Sequence, residues 1–342
     1  MANLTRASSE LFRRTPDETF GSLDSLAAHC KTQRERSTDR WHMPGDIRPL
    51  ARSGGGLGVS LGQEEFSLND WSFGQLCTLA GVAKETVNRL SGETASRVLE
   101  ETLPLGKKPL QAFTDGSVVR SVHGAAYTRL HNDELVTLAR ESAPDFTPPQ
   151  KGMTGGTGLY CGEQDLFMFL IDPLGWTEIG DQAFAPGLFL WNSEVGKRTV
   201  GVQTFWFQAV CQNHIVWDAV EVVEFSRKHT AKVGEALTEV RSIIEAVVKR
   251  RDERRDGFAK AIRASMTQTV GDAEEVIALL ARHDIRGRVA KEALEAAKRQ
   301  GRFTVFSLVD ALTRLAGEMK FVGDRTDLDQ KASKLLSLSL AA

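Results

Sequence analysis

Near residue 230 the apolar residues of this chain change period. From there on Val233, Leu237, Val240, Ile244 and Val247 recur at i, i+4, i+7, i+11 and i+14, the stripe of a helix with one buried face. Before it, from Gln111 to about Trp217, short apolar runs rich in Phe, Trp, Val and Gly are separated by turn residues, as strands are. The two patterns together predict an α+β chain: a central, mostly antiparallel sheet with flanking helices and a helical C-terminal region. Strands are expected at 57–60, 65–68, 117–122, 158–161, 166–171, 188–191 and 199–210. Helices are expected at 23–36, within 72–100 on either side of Gly81, and at 273–282, 289–299, 305–317 and 328–336. Three segments follow: a polar N-terminal stretch over 1–50, an α+β core over 51–230 and the helical region over 231–342. Pro49 and the glycines Gly54, Gly55 and Gly56 mark a linker at 46–56.

With 342 residues, 41% of them hydrophobic, the chain can bury a real core, which excludes wholesale disorder. The net charge of −2 excludes a uniformly basic protein but leaves room for a basic face. Cys30, Cys77, Cys161 and Cys211 form no C-x-x-C pair, so neither a disulfide framework nor a cysteine-rich zinc site is expected. No apolar run approaches the ~18 residues of a membrane helix. The expectation is a soluble, cytoplasmic protein.

Four local patterns carry chemistry in other contexts. Gly58-Val59-Ser60-Leu61-Gly62 fits the nucleophile elbow of hydrolases, but that motif needs a strand before the serine and a helix after it. Here Gln63, Glu64 and Glu65 lead into another strand, so a hairpin is expected. The glycine runs at 54–62 and 152–162 lack the Gly-Lys-Ser/Thr of a phosphate loop and read as flexible connections. Glu163, Asp165, Asp172, Glu178 and Asp181 surround an apolar strand. They would serve a divalent metal only if they converged; turn positions explain them equally well. Residues 75–90 match a helix-turn-helix at Cys77, Gly81, Val82, Val87 and Leu90, and would present Lys84, Glu85, Asn88 and Arg89 to a groove. An ordinary helical hairpin is the preferred alternative.

The strongest electrostatic feature lies at 226–263, with eleven Lys and Arg against six Asp and Glu, a net of +5. Its cations Arg227, Lys228, His229, Lys232, Lys249, Arg250, Arg251, Arg254 and Arg255, joined by Lys197 and Arg198, form the expected phosphate-contacting set. Asp252, Glu253 and Asp256 interleave the last cluster, as they would on a salt-bridged surface helix. Trp191, Phe205, Trp206, Phe207 and Trp217 could supply stacking platforms for single-stranded bases, or a sheet core.

Several ordered segments resemble a family carried by phages and plasmids, the domain of unknown function 932. They are Phe66-Ser67-Leu68-Asn69-Asp70-Trp71, Val119-Arg120-Ser121-Val122-His123, Tyr127, Asn132, Asn192-Ser193-Glu194-Val195-Gly196, Cys211-Gln212-Asn213, His229-Thr230 and Phe306-Ser307-Leu308. The similarity runs over roughly 55–340. It brings no catalytic residues, and no metal or cofactor is assigned. It implies a mobile-element accessory protein that binds single-stranded DNA, by analogy with strand-annealing folds, and works as a homo-oligomer in recombination. The alternative is a protein-interaction factor that counteracts a host defence system without touching nucleic acid. A non-catalytic role is favoured in both.

Overall fold

The computed structural model describes residues 10–149, 158–180, 182–208, 214–217 and 224–339. The chain enters through a two-residue strand, β1 (Glu18–Thr19), and helix α1 (Leu23–Arg36). Ser22 caps α1 by accepting from the Ser25 N–H, which satisfies one of the donors a helix start leaves open. A first sheet follows. Its strands are β2 (Ser37–His42), β3 (Ile47–Ala51), β4 (Leu57–Leu61), β5 (Glu64–Leu68), β6 (Leu110–Asp115) and β7 (Val118–Gly124). They lie in the order β2-β6-β7-β5-β4-β3, antiparallel except for the β5–β7 pair. Between β5 and β6 come α2 (Asp70–Leu79), the single turn α3 (Lys84–Val87) and α4 (Gly92–Thr102). Phe73, Leu76 and Cys77 of α2 and Ala95 and Leu99 of α4 close the core of this sheet.

The expected linker at 46–56 is therefore a correction: Ile47–Ala51 within it form β3, and Gly54 and Gly55, both at positive φ, turn the chain into β4. Alternation is visible there in Ile47 and Pro49, both buried, but the proline and glycines masked it. The N-terminal stretch from residue 10 is part of the core as well, since Leu26 and Cys30 of α1 pack under the second sheet.

Helix α5 (Asn132–Ser142) leads into that second, antiparallel sheet: β8 (Leu159–Cys161), β9 (Leu166–Ile171), β10 (Thr177–Ile179), β11 (Gln182–Asn192), β12 (Val200–Gln208), β13 (His214–Trp217) and β14 (Glu224–Arg227). The order is β1-β8-β9-β11-β12-β13, with β10 beside β11 and β14 beside β12. Alternation splits its residues between two faces. Met168, Leu170, Leu188, Leu190, Val200 and Val202 join α1, α5 and α6 (Glu235–Lys249) in one core. Phe167, Phe169, Phe189, Trp191, Phe205 and Phe207 share the opposite face. At Gly187 and Gly201 the sheet tolerates no side chain. A Cβ at Gly201 would stand 2.3 Å from the Trp191 ring and 2.5 Å from the Phe225 carbonyl.

The remaining helices are α7 (Arg251–Thr267), α8 (Ala273–Arg282), α9 (Gly287–Lys298), α10 (Val305–Gly317) and α11 (Val322–Leu336). They build their own core and dock it on the second sheet, where Trp206 stacks on Phe258 at 4.1 Å. Helix α11 lies over the aromatic face: Arg325 donates to the Tyr160 hydroxyl at 3.5 Å and Gln330 donates to Gln203 at 3.4 Å. The α+β class and the helical C-terminal region are as expected from the sequence. Among the described residues, no helix is long and apolar enough to cross a membrane.

Candidate functional site

The two sheets are joined at the turn between β11 and β12, where polar groups replace the apolar core. Gly196, at φ +74°, reverses the chain against the His123 and Tyr127 rings, leaving no room for a Cβ. Asn192 donates to the Leu130 carbonyl at 2.9 Å and to Asn132 Oδ1 at 2.8 Å. Ser193 Oγ donates to the Gln164 carbonyl at 2.6 Å. Glu194 is 4% exposed and binds Arg120, on β7, at 2.6 Å. It also accepts the Asn132 N–H at 2.8 Å, and His131 Nδ1 lies 3.4 Å away. Burial alone would raise the Glu194 carboxyl; Arg120, His131 and the Asn132 N–H outweigh it and hold the group at about 2.

The backbone of the same turn is gripped from the first sheet. Tyr127 Oη donates to the Glu194 carbonyl at 2.9 Å, and the Arg129 guanidinium donates to it as well while pairing with Asp39 at 2.8 Å. Trp71 Nε1 donates to the Val195 carbonyl at 2.9 Å. Tyr127 is stacked between His123, at 3.7 Å, and His229, at 5.4 Å. Burial, with Arg129 nearby, lowers His123 to about 3 and His229 to about 4, so both rings are neutral at pH 7.

Beside this hub a polar cleft of about 450 Å³ opens between the sheets, lined by Glu18, His29, Asn69, Arg120, Cys161 and Glu163 among others. Burial, with Asp70 nearby, raises the Glu163 carboxyl to about 7, which suits it to exchange protons near neutrality. A second opening is of another kind. A groove of about 410 Å³ is walled by Pro44, Ile47, Leu76, Leu79, Leu103, Pro104 and Leu110, and its only charged lining residues are Lys107 and Lys108. Close to it in the chain stand exposed apolar side chains: Trp41 at 51%, Met43 at 43% and Leu105 at 89%.

A family model described as domain of unknown function 932 matches residues 161–333, just over half of the 342. The chain belongs to that family. It matches no curated protein and no solved structure. The matched stretch of domain 932 begins at Cys161 and includes the Glu194 turn. Arg120, Tyr127 and Trp71, which hold the turn from the first sheet, precede the match, although the resemblance was expected from about residue 55.

The expected phosphate contacts are dispersed. Arg227 pairs with Glu235 at 3.1 Å and with Glu239 at 2.5 Å. Arg250 pairs with Glu253 at 2.9 Å, and Arg255 with Asp252 at 3.0 Å and Asp256 at 3.1 Å. Arg251 binds the buried Asp172, and Arg254 is itself buried. Arg198 faces Asp327 at 3.3 Å and Asp165 at 3.7 Å, while Lys197 lies over the Trp71 ring at 5.3 Å. His229 is in the hub. Lys228, Lys232 and Lys249 are exposed. The stacking platform is a correction: Trp191, Phe205, Trp206 and Phe207 are all buried, and the Trp217 side chain lies outside the described residues, as does Cys211. Aromatics in the middle of a two-faced sheet serve both cores, which composition alone does not reveal.

Other patterns resolve on geometry. Gly58 to Gly62 is the β4–β5 hairpin, as expected, with Gly62 at φ +65°. The helix-turn-helix does not form. The would-be recognition helix is one turn, Lys84 pairs with Asp70 at 2.7 Å, and Asn88 is buried, donating to the Phe12 carbonyl at 2.8 Å. Of the acidic cluster, Asp172 is held by Arg251, Asp165 faces Arg14 and Arg198, and Glu178 is exposed on β10. Asp181 lies outside the described residues. Among those described, no three His, Cys, Asp or Glu side chains are placed to hold one metal ion.

Proposed function

We propose that the protein acts by binding a partner protein, with the apolar groove on the first sheet as its docking surface. The groove itself carries this reading. It is lined by apolar side chains and two lysines, and Trp41, Met43 and Leu105, close to its lining residues in the chain, stand in water at a hydrophobic cost. A groove of this character takes the apolar stripe of a helix, and Lys107 and Lys108 select one with acidic flanks. The resemblance to phage and plasmid proteins makes a host defence complex the partner of interest.

Two synthetic helices test this: both carry Leu at i, i+3, i+4 and i+7, one with Glu and one with Lys at the flanks. The acidic helix should bind at least ~10-fold more tightly, equivalent to about 1.4 kcal/mol. The pair Lys107→Glu and Lys108→Glu should reverse that preference, and Leu105→Asp should abolish binding with the circular dichroism unchanged. Equal affinity for both helices, or none for either, would sink the proposal.

A second reading keeps single-stranded DNA. It is supported by the exposed Lys228, Lys232 and Lys249, and by Arg250 and Arg255, whose partners Glu253 and Asp252 are themselves 69% and 82% exposed. Such surface pairs are worth about 0–1 kcal/mol and yield readily to a phosphate. Arg250→Ala with Arg255→Ala should then weaken binding to every single strand alike. It should also lower the salt slope by somewhat more than one unit, at roughly 0.7 per contact. Fluorescence anisotropy at several salt concentrations reads both, and no binding by the unaltered protein at ~50 mM salt removes this reading.

A further inference from the structure

Two cysteines far apart in the chain meet at the edge of the polar cleft. Cys30 is on α1 and Cys161 ends β8; each is 2% exposed, both belong to one core cluster, and the Cys30 thiol is near enough to push the Cys161 thiol up. His29, the neighbour of Cys30, lines the cleft beside Cys161, and the thiol raises the titration of its ring. The pairing of β1 with β8 sets Glu18 opposite Cys161, and the Glu18 carboxylate lies 3.9 Å from His29 Nδ1. Asn132, the same residue that braces the Glu194 turn, directs its Nδ2 at the Cys161 sulfur from 3.9 Å. Both Cys161 and His29 line the cleft; Cys30 sits behind them and does not. The arrangement supplies a thiol on the cleft wall, a proton acceptor beside it, a carboxylate to orient that acceptor, and a second thiol in the core cluster behind the first.

We propose that Cys161 and Cys30 are a redox-active dithiol, in which Cys161 reduces a small hydroperoxide entering through the cleft and Cys30 resolves the product as an intramolecular disulfide. His29 takes the proton of Cys161. The sulfur attacks the terminal peroxide oxygen, the O–O bond breaks, and the leaving alkoxide or hydroxide collects the proton from His29 as an alcohol or water. Cys161 is then a sulfenic acid. The Cys30 sulfur attacks it; the S–S bond forms, the S–O bond breaks, and hydroxide leaves as water with the Cys30 proton. Two thiols lose two electrons and the peroxide gains them, and an external dithiol restores the pair. The oxidant is small because the thiol is almost wholly buried, which excludes a bulky disulfide. The neighbouring Cys30 thiol and burial hold the Cys161 thiol above its usual range, while His29 counteracts them, so Cys161 rests protonated and depends on its histidine for reactivity. Disulfides of this kind are at home in reducing compartments, where they are transient and catalytic.

The full-length protein tests this directly. It is treated with hydrogen peroxide at pH 7, quenched with an alkylating agent and digested without reduction. The expected product is one peptide linking Cys30 to Cys161, with the protein lighter by two hydrogens and dithiothreitol reversing the change. Cys77 and Cys211 should stay alkylatable. Cys30→Ser should halt at the sulfenic acid, trapped at Cys161 by dimedone added together with denaturant. His29→Gln should slow oxidation about 100-fold, the usual weight of a general base; an unchanged rate overturns the role given to His29. The link in the unaltered protein needs no variant to fold. Four free thiols after peroxide sufficient to oxidise methionine, or a link to Cys77 or Cys211, overturns the dithiol. Neither result bears on the apolar groove, which is on the other sheet.

Discussion

Glu194→Ala is expected to destabilise the fold by about 3–5 kcal/mol, the cost of removing one partner from a buried ion pair. Arg120 would be left charged at 5% exposure, and the Asn132 N–H would lose its acceptor. An orphaned buried donor adds about 1–3 kcal/mol to whatever the charge costs. Arg120→Ala should cost a similar amount, because it strands a carboxylate that its surroundings now hold near 2. The double replacement, Arg120→Met with Glu194→Leu, should cost far less than the sum, since two apolar side chains carry no unpaired charge into the core. Urea unfolding of the four proteins gives all three costs. Single variants within 1 kcal/mol of the parent would mean that the pair is solvated. The cleft floor would then be softer than its burial implies.

The class of the fold and most of its elements can be read from period alone. Leu23–Arg36, Ala273–Arg282 and Val305–Gly317 are the helices expected residue for residue, because each has a polar cap followed by a clean apolar stripe. β2, β3 and β6 are not legible in that way. β2 exposes Trp41 and buries Ser37, so it lacks the alternation of a half-buried strand, and in β3 a proline on a sheet edge masks it. Helix α5 is likewise hidden, since it follows the turn residues 124–131 with a histidine at its cap.

The site was partly in view and its meaning was not. Arg120 stands among Val118, Val119 and Val122 in β7, and Glu194 in a turn between two strands of bulky apolar residues. Each is a charge where burial is expected. That two such charges 74 residues apart must find each other is a usable signal, because an unpaired charge in a core is too costly to keep. The dithiol leaves no such trace. Cys30 and Cys161 share a core because α1 packs on β8 and the two-residue β1 pairs with it, and no periodicity announces a strand that short. The basic segment is legible only in part: its density of Lys and Arg is plain, but its carboxylate partners include Glu235, Glu239 and the distant Asp172.

His123→Gln is expected to change the acid limb of stability. His123 is neutral in the fold, titrating at about 3, and near 6.5 when unfolded. Between those values the unfolded chain binds the proton and the folded one does not. Its contribution is therefore fully present above pH 6.5 and is lost as pH falls toward 3, by up to about 1.4 kcal/mol per pH unit. Allowing for its partial exposure, the loss at pH 4 is about 2–3 kcal/mol. The parent protein alone will not display it. Glu163 and Asp165, at about 7 and 6, and the buried Asp329, at about 8, have raised values and act in the opposite sense, stabilising the fold as pH falls. Subtracting the variant from the parent cancels those carboxyls and leaves the histidine. Relative to the parent, His123→Gln should gain about 2–3 kcal/mol between pH 7 and pH 4, whatever its cost at pH 7. A constant difference across that range would place the His123 ring in contact with water, and the stack with Tyr127 would then be a surface feature rather than part of the joint between the sheets.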